Sequence, residues 1–266
     1  MIRLLLLLSL LAAPAFAQDN SGLKRLTLRD DLLGWEAVGR VELGRGGYCT
    51  GVLIAQDLVL TAAHCVFAGR ERRDAEDITF RAGLRDEKAI AERQIARIAA
   101  HPKYQPGERS SAANIRHDVA LLELDTPIPS GTASPFRVDA PARRGAKVGV
   151  VSYAQGRDAA LSRQRTCGVL GQRDGLMAFD CDVYYGSSGA PVFVRVGSVW
   201  RIVSIISAGS RTEDRILSFG MELPSLVAEL KYAFRTGRGV WSGDGSASAT
   251  QHPGVSNRAA GHFVRP

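Results

Sequence analysis

"CTGVLIAQDLVLTAAHC" (Cys49–Cys65) is two apolar, strand-like runs on either side of Gln56-Asp57, with a cysteine at each end and a histidine just before the second. Valine, leucine and threonine in short runs broken by polar residues favour a pleated surface over a helix. Cys49 and Cys65 lie 16 apart, so a bridge between them would staple adjacent strands beside His64. The alternative use of Cys49, His64 and Cys65 is a metal site, but zinc-ligand spacing is absent.

The same pattern continues outward from about Asp31. "WEAVGRVEL", "VALLEL", "KVGVVSYA", "TCGVLG", "LMAFDCDV", "PVFVRV" and "WRIVSII" are short β-branched or aromatic runs separated by Gly, Asp and Pro. Many short strands with turns between them indicate an all-β sandwich or barrel and not βαβ units. The stretch "AEDITFRAGLRDEKAIAERQIARIAAHP" is ambiguous, helical in composition but flanked by strands. Pro224–Arg235 reads as a helix, with proline at its start and apolar residues at 226, 227, 230 and 234. Residues 236–266 are rich in Gly, Ser and Ala without periodicity and are expected to be a disordered tail.

The chain has 266 residues, 45% of them hydrophobic and 23% charged, enough for one large or two small domains with a real core. Its net charge of +7 comes from scattered basic residues with no long run, so nucleic acid is not an expected partner. Arg3, the run "LLLLLSLLAA" and the small-x-small "AFA" (15–17) make residues 1–17 a secretory signal, with a mature start near Gln18. The apolar run is too short to span a bilayer, so no membrane association is expected after its removal. A secreted or periplasmic chain sits in an oxidising compartment, and its four cysteines are expected as disulfides. Cys167 and Cys181 are centred on residue 174 in "GQRDG", which sets them opposite each other across a hairpin.

A serine hydroxyl is a weak nucleophile at neutral pH. It needs a base within reach, a group that orients that base, and donors for the oxyanion it creates. "LTAAHC" puts His64 at a strand end beside a bridged cysteine. "NIRHDVALLELD" puts Asp118 just ahead of an apolar strand, and "GSSGAP" puts Ser188 in a glycine turn. Each alone is ordinary, since histidines are commonly structural, aspartates open strands, and Gly-Ser stretches link domains. Together, in the order His, Asp, Ser within a secreted β chain, they point to nucleophilic catalysis.

Those motifs resemble the trypsin-like (chymotrypsin-fold) serine peptidases, of the bacterial secreted type related to the glutamyl endopeptidase branch. "LTAAHC" matches the family's histidine motif, "HPKYQPGERSSAANIRHDVALLEL" its aspartate segment, "GSSGAPV" its serine turn, and "RIVSII" the strand that carries substrate backbone. The resemblance covers roughly residues 35–230. It implies two six-stranded antiparallel β-barrels, here 31–135 with His64 and Asp118, and 136–235 with Ser188 and the helix, after an N-terminal extension over 18–30. It further implies Ser188 as nucleophile, His64 as general base, Asp118 as its orienting partner, and the amides of Gly186 and Ser188 as oxyanion hole. His117 is expected at the surface.

The chain also departs from that family. Ser187 stands where the trypsin subgroup has an aspartate that pairs with a new N-terminus, and Arg40–Val41 lies within the expected first barrel strand. No N-terminal switch is therefore expected. Asp182, six residues before Ser188, sits where trypsin holds the carboxylate that selects Arg or Lys. Ser204 and Ile206 are the other expected pocket residues. Tyr184 replaces a bracing cysteine, and Ile206 falls near a glycine position where the glutamyl enzymes place histidine. Basic, small and apolar preferences all stay open. The expected function is a monomeric secreted endopeptidase acting on protein or peptide without a cofactor. Its alternatives are an inactive binding protein on the same scaffold and a serine esterase. An α/β-hydrolase is set aside because its order is Ser, Asp, His.

Overall fold

The computed structural model describes residues 22–44, 47–108, 110–212, 216–242 and 263–264. The expected signal at 1–17 lies outside them. The strands are β1 (Leu23–Arg25), β2 (Val38–Glu42), β3 (Tyr48–Ala55), β4 (Leu58–Thr61), β5 (Phe67–Ala68), β6 (Glu71–Arg72), β7 (Thr79–Ala82), β8 (Ala91–Ala100) and β9 (Ala120–Leu124). The second half of the chain adds β10 (Lys147–Ser152), β11 (Ser162–Arg173), β12 (Leu176–Phe179), β13 (Pro191–Val196), β14 (Val199–Arg211), β15 (Ile216–Met221), β16 (Val240–Trp241) and β17 (Phe263–Val264). Two helices, α1 (Ala112–Ile115) and α2 (Pro224–Thr236), complete the elements that matter here.

The strands close into two six-stranded antiparallel barrels. The first runs β8-β7-β2-β3-β4-β9 and shuts through β8–β9; the second runs β11-β10-β13-β14-β15-β12 and shuts through β11–β12. Closure gives every barrel strand a partner on each side, so open edge survives only where one strand outruns its neighbour. The opening stretch of the sequence is the β3–β4 hairpin, with Val52 opposite Leu60 and Leu53 opposite Val59. Every residue of β4 is buried, because β3 and β9 pair with it on both sides and the barrel core lies beneath.

The segment of ambiguous composition forms β7 and β8. Pairing decides it: Thr79–Ala82 meets Gln94–Ala91, while Ile95–Ala100 pairs with β9. Ladder bonds and burial of Phe80, Ile95 and Ile98 outweigh the helical preference of Ala, Glu and Arg.

At the ends, the described residues amend the expected organisation. The N-terminal extension contributes β1, which pairs with Ser162–Gln164 of β11 in the second barrel. The expected disordered tail is corrected at its start: Val240 and Trp241 pair with Ala99 and Ile98 of β8. Trp241 Nε1 also donates to the Arg73 carbonyl at 2.9 Å, and Phe67 and Arg72 lie against its ring. Most of residues 243–266 lie outside the described set. Helix α2 starts on Pro224 and ends on Gly237 at φ +70°. It follows the second barrel in sequence but packs on β8 and β9 of the first, burying Val227 and Leu230.

One apolar core fills the first barrel and continues across the seam to Tyr153, Leu161, Phe193 and Ile205 of the second. Trp35 is the pivot, with Phe193 and Phe136 at centroid distances of 5.2 and 5.9 Å. The Tyr153 hydroxyl, fully buried, donates across the seam to the Leu84 carbonyl at 2.9 Å. This seam fixes the barrels relative to one another and carries the site.

Candidate active site

His64 sits in a one-turn 3-10 helix, Ala63–Val66, directly after β4. Its neighbour Cys65 is bonded to Cys49 of β3, with Cα atoms 6.3 Å apart. Asp118 lies two residues ahead of β9, which pairs with β4 so that Ala120 faces Thr61. The turn ahead of it is shaped by α1, whose N-cap Ser111 Oγ accepts from the Asn114 amide at 3.1 Å. The pairing of β4 with β9 therefore sets the histidine and the carboxylate side by side.

They meet through both carboxylate oxygens. The His64 amide donates to Asp118 Oδ1 at 2.8 Å, and His64 Nδ1 lies 2.7 Å from Asp118 Oδ2. A third donor, Ser207 Oγ of β14, reaches Oδ2 at 2.5 Å from the other barrel. Asp118 is buried. Burial pushes its carboxyl pKa up, but the nearby His64 ring, the Ser207 hydroxyl and the His64 amide outweigh this and hold it below the ordinary carboxylate value. An anionic carboxylate only accepts, so the ring proton belongs on Nδ1, and Nε2 carries the lone pair that can act as base.

Ser188 arrives from the second barrel on the turn Gly186–Ala190. Gly186 and Gly189 adopt φ +90° and +76°, which side chains disfavour. A Cβ on Gly189 would lie 2.3 Å from both the Thr50 carbonyl and Thr61 Oγ1. That closeness presses the turn onto β3 and the end of β4. Thr50 fastens it there: its amide donates to the Ser188 carbonyl and its hydroxyl to the Gly186 carbonyl, both at 2.8 Å. Ser188 is thus held by the residue next to Cys49, whose sulfur is bonded to the neighbour of His64. Among the described residues, the amides of Ser187, Gly189 and Ala190 donate to Tyr184, Ile206 and Ser187, while those of Gly186 and Ser188 take no part in such bonds.

Both expected disulfides form, Cys167 bridging Cys181 with Cα atoms 5.1 Å apart. The sulfurs of Cys49 and Cys65 and a ring nitrogen of His64 lie within 4.8 Å of one another. A disulfide has no thiolate to offer a metal, so this cluster does not fit zinc.

The expected specificity residues are placed differently. Ser204 is buried and its hydroxyl donates to the Met221 carbonyl at 2.8 Å. Ile206 belongs to the second barrel's core. Both are buried, and it is Ser207, three residues beyond Ser204, that reaches Asp118. The strand's one glycine, Gly209, was the available signal for that register. Asp182 is already engaged, its Oδ1 lying 2.5 Å from an Arg211 guanidinium nitrogen. His117 is half-buried, with one face stacked on His101 at a centroid distance of 4.9 Å.

A sequence model of the trypsin-like peptidase domain matches residues 49–200. Serine protease 56 of Homo sapiens is 39% identical over 102 residues, which are 38% of this chain and 16% of that protein. Transmembrane protease serine 5 of Homo sapiens is 28% identical over 205 residues, 66% of this chain and 43% of that protein. Both matches span less than half of the relative's own length. The solved structure of a Glu endopeptidase in complex with MPD superposes with a TM-score of 0.66 at 18% identity, covering 80% of this chain and 96% of that one. At that identity the superposition speaks for the fold, while the domain match spans more than half of the sequence: the chain belongs to the trypsin-like peptidase family.

Proposed function

We propose that this protein is a secreted serine endopeptidase in which Ser188, His64 and Asp118 act as a catalytic triad. The observation that carries the reading is the buried Asp118 carboxylate receiving His64 Nδ1 at 2.7 Å, with Ser188 fastened to the same corner through Thr50. In the reaction, Ser188 Oγ attacks the scissile carbonyl while His64 Nε2 takes its proton. Asp118 stabilises the imidazolium that forms. The oxyanion is received by the amides of Gly186 and Ser188, which have no competing backbone acceptor among the described residues. His64 then protonates the leaving amine, and water hydrolyses the acyl-enzyme by the reverse proton path.

The reading we favour is a preference for residues other than Arg or Lys. Selecting Arg or Lys requires an available carboxylate, and Arg211 already pairs with Asp182. Secretion is supported by the leader-like first 17 residues and by two disulfides, a form of cysteine that persists outside reducing compartments.

A fluorophosphonate probe tests the reading. The wild-type protein is expected to become covalently modified at Ser188 and to hydrolyse peptide substrates, while S188A and H64A lose both properties. Absence of labelling in the wild type overturns the proposal in favour of a binding protein. Labelling with hydrolysis of esters alone overturns it in favour of an esterase.

A further inference from the structure

Cys181–Ala190 holds Gly186 and Ser188, yet none of it lies in a strand, so no sheet ladder fixes it. Three contacts pin its first half: the Cys167–Cys181 bridge, the Asp182 amide donating to Gln164 Oε1 at 2.7 Å, and the Gln155 amide donating to the Tyr185 carbonyl at 2.7 Å. The half that carries the two amides is held at its carbonyls by Thr50 and, on its other side, by a buried polar chain. Tyr184 N donates to Ser187 Oγ at 3.3 Å, and Ser187 Oγ donates to Ser152 Oγ at 3.3 Å. Ser152 Oγ accepts from an Arg157 guanidinium nitrogen at 3.5 Å, and a second nitrogen of that guanidinium lies 3.5 Å from the Asp182 carbonyl oxygen.

Ser152 and Ser187 are 1% and 0% exposed, so the two hydroxyls at the middle of the chain are sealed from water, while Arg157 is half-buried. Contacts of 3.5 Å sit at the outer edge of hydrogen-bond reach. Their attraction is mainly that of a cation for oriented dipoles, which is strong where water is excluded. Burial draws the Arg157 pKa down and Asp182 opposes it; Tyr48 and Arg211 are the other groups facing it. A guanidinium nevertheless stays charged inside proteins. The residue before Ser188 is a neutral serine, so it can form no ion pair of its own. The fixed charge in this chain comes from Arg157, one hydroxyl further away.

We infer that Arg157 is a positioning residue of this site: through Ser152 and Ser187 on one side and the Asp182 carbonyl on the other, its guanidinium holds the Gly186–Ser188 turn so that both amides face one point. The inference rests on the peptidase reading above. It places the ordering of the oxyanion donors inside the folded chain.

The test uses the full secreted protein as wild type, R157A, R157K and S152A. Its readouts are kcat and KM on a peptide substrate, the rate of fluorophosphonate labelling, and thermal melting. R157A is expected to lose about 10- to 100-fold in kcat and labelling rate, less than removal of a donor outright. Its KM is expected to move less than about threefold, because substrate ground-state contacts are untouched. Millimolar methylguanidinium is expected to restore part of the lost rate to R157A. R157K is expected to recover little, since an ammonium does not span two acceptors as a planar fork does. S152A, which keeps the charge and removes the relay, is expected to lose a smaller part of kcat. An R157A enzyme with unchanged kcat overturns the inference, as does a loss that tracks the unfolded fraction and ignores methylguanidinium. If R157A does not fold, S152A decides, and unchanged kcat there overturns the inference too. A wild-type protein that takes no label fails differently, because it overturns the peptidase reading itself.

Discussion

Ser207 Oγ, from the second barrel, donates a 2.5 Å hydrogen bond to Asp118 Oδ2, from the first, across 89 residues of sequence. The same oxygen accepts His64 Nδ1 at 2.7 Å. One bond thus ties the carboxylate to the strand beside which a substrate would lie. Ser207→Ala leaves that oxygen with a single partner inside a buried site. A hydrogen bond to a charged group contributes about 1.5–3 kcal/mol, so kcat/KM is expected to fall about 10-fold. Steady-state kinetics check this, and an unchanged kcat/KM would show that the His64 contact orients Asp118 unaided.

Acid should unfold the protein partly through Asp118. Its carboxyl pKa is lowered in the fold by His64 and Ser207 in spite of burial, whereas an unfolded Asp titrates at about 3.9. A depressed carboxyl stabilises the fold fully above the unfolded pKa, and the contribution is lost as pH falls from there through the folded pKa. Urea midpoints at about pH 7 and about pH 3 should therefore differ less in Asp118→Asn than in the wild type. The same variant should lose about 10⁴-fold in kcat, because an amide does not select the Nδ1-protonated ring. An equal pH dependence of the midpoint in both proteins would place the carboxyl at its ordinary pKa.

Asp182 offers a sharper test of specificity. Its carboxylate pairs with Arg211 at 2.5 Å, and its amide and carbonyl are held by Gln164 and Arg157. Cleavage of a peptide library by the wild type is expected to show no enrichment of Arg or Lys before the cut. Asp182→Asn should leave the profile unchanged apart from a gain for acidic residues as Arg211 is released. A wild-type preference for Arg or Lys that vanishes in the variant would return Asp182 to the pocket floor.

What the sequence made legible was local. The Cys49–Cys65 hairpin, the Cys167–Cys181 pair and the histidine beside its bridged cysteine each lie within a few turns of chain, where spacing alone constrains geometry. Contacts set by register across the sheet were not legible. The β14 ladder shifts between Ile206 and Ala208, and its pairing with β13 shifts between Val192 and Phe193. A bulge moves side chains from one face to the other without marking the sequence. For this reason the sequence alone sets Ser204 where Ser207 stands, and Ile206 near the place that Gly209 takes. The Arg211–Asp182 pair and the Arg157 chain join separate loops and leave no periodic trace. Val240 and Trp241 are two apolar residues in a Gly- and Ser-rich run. Their order comes from the edge of β8 left open where β7 ends.

The C-terminal strands separate stability from access. β16 lies on β8 with the Trp241 indole bonded to the Arg73 carbonyl. β17 lies parallel to β14, Phe263 beside Gly209 and Val264 beside Ser210. On its other edge that part of β14 pairs with β15, and β13 ends opposite Ile205. The edge taken by β17 is therefore the open one, and it begins two residues beyond Ser207. An extended peptide gains affinity from such an edge through main-chain hydrogen bonds, so a substrate peptide laid there would have to displace the tethered β17. A chain ending after Ser242 keeps β16 and loses β17. It is expected to melt with the full-length protein but to show a several-fold lower KM for peptides long enough to reach Gly209, with kcat unchanged. A chain ending after Arg238 loses β16 as well. It should be destabilised by about 2–3 kcal/mol, through exposure of apolar surface on β8 and around Phe67. Equal KM values for the full-length and Ser242-terminated proteins on long peptides would mean that β17 does not compete with substrate.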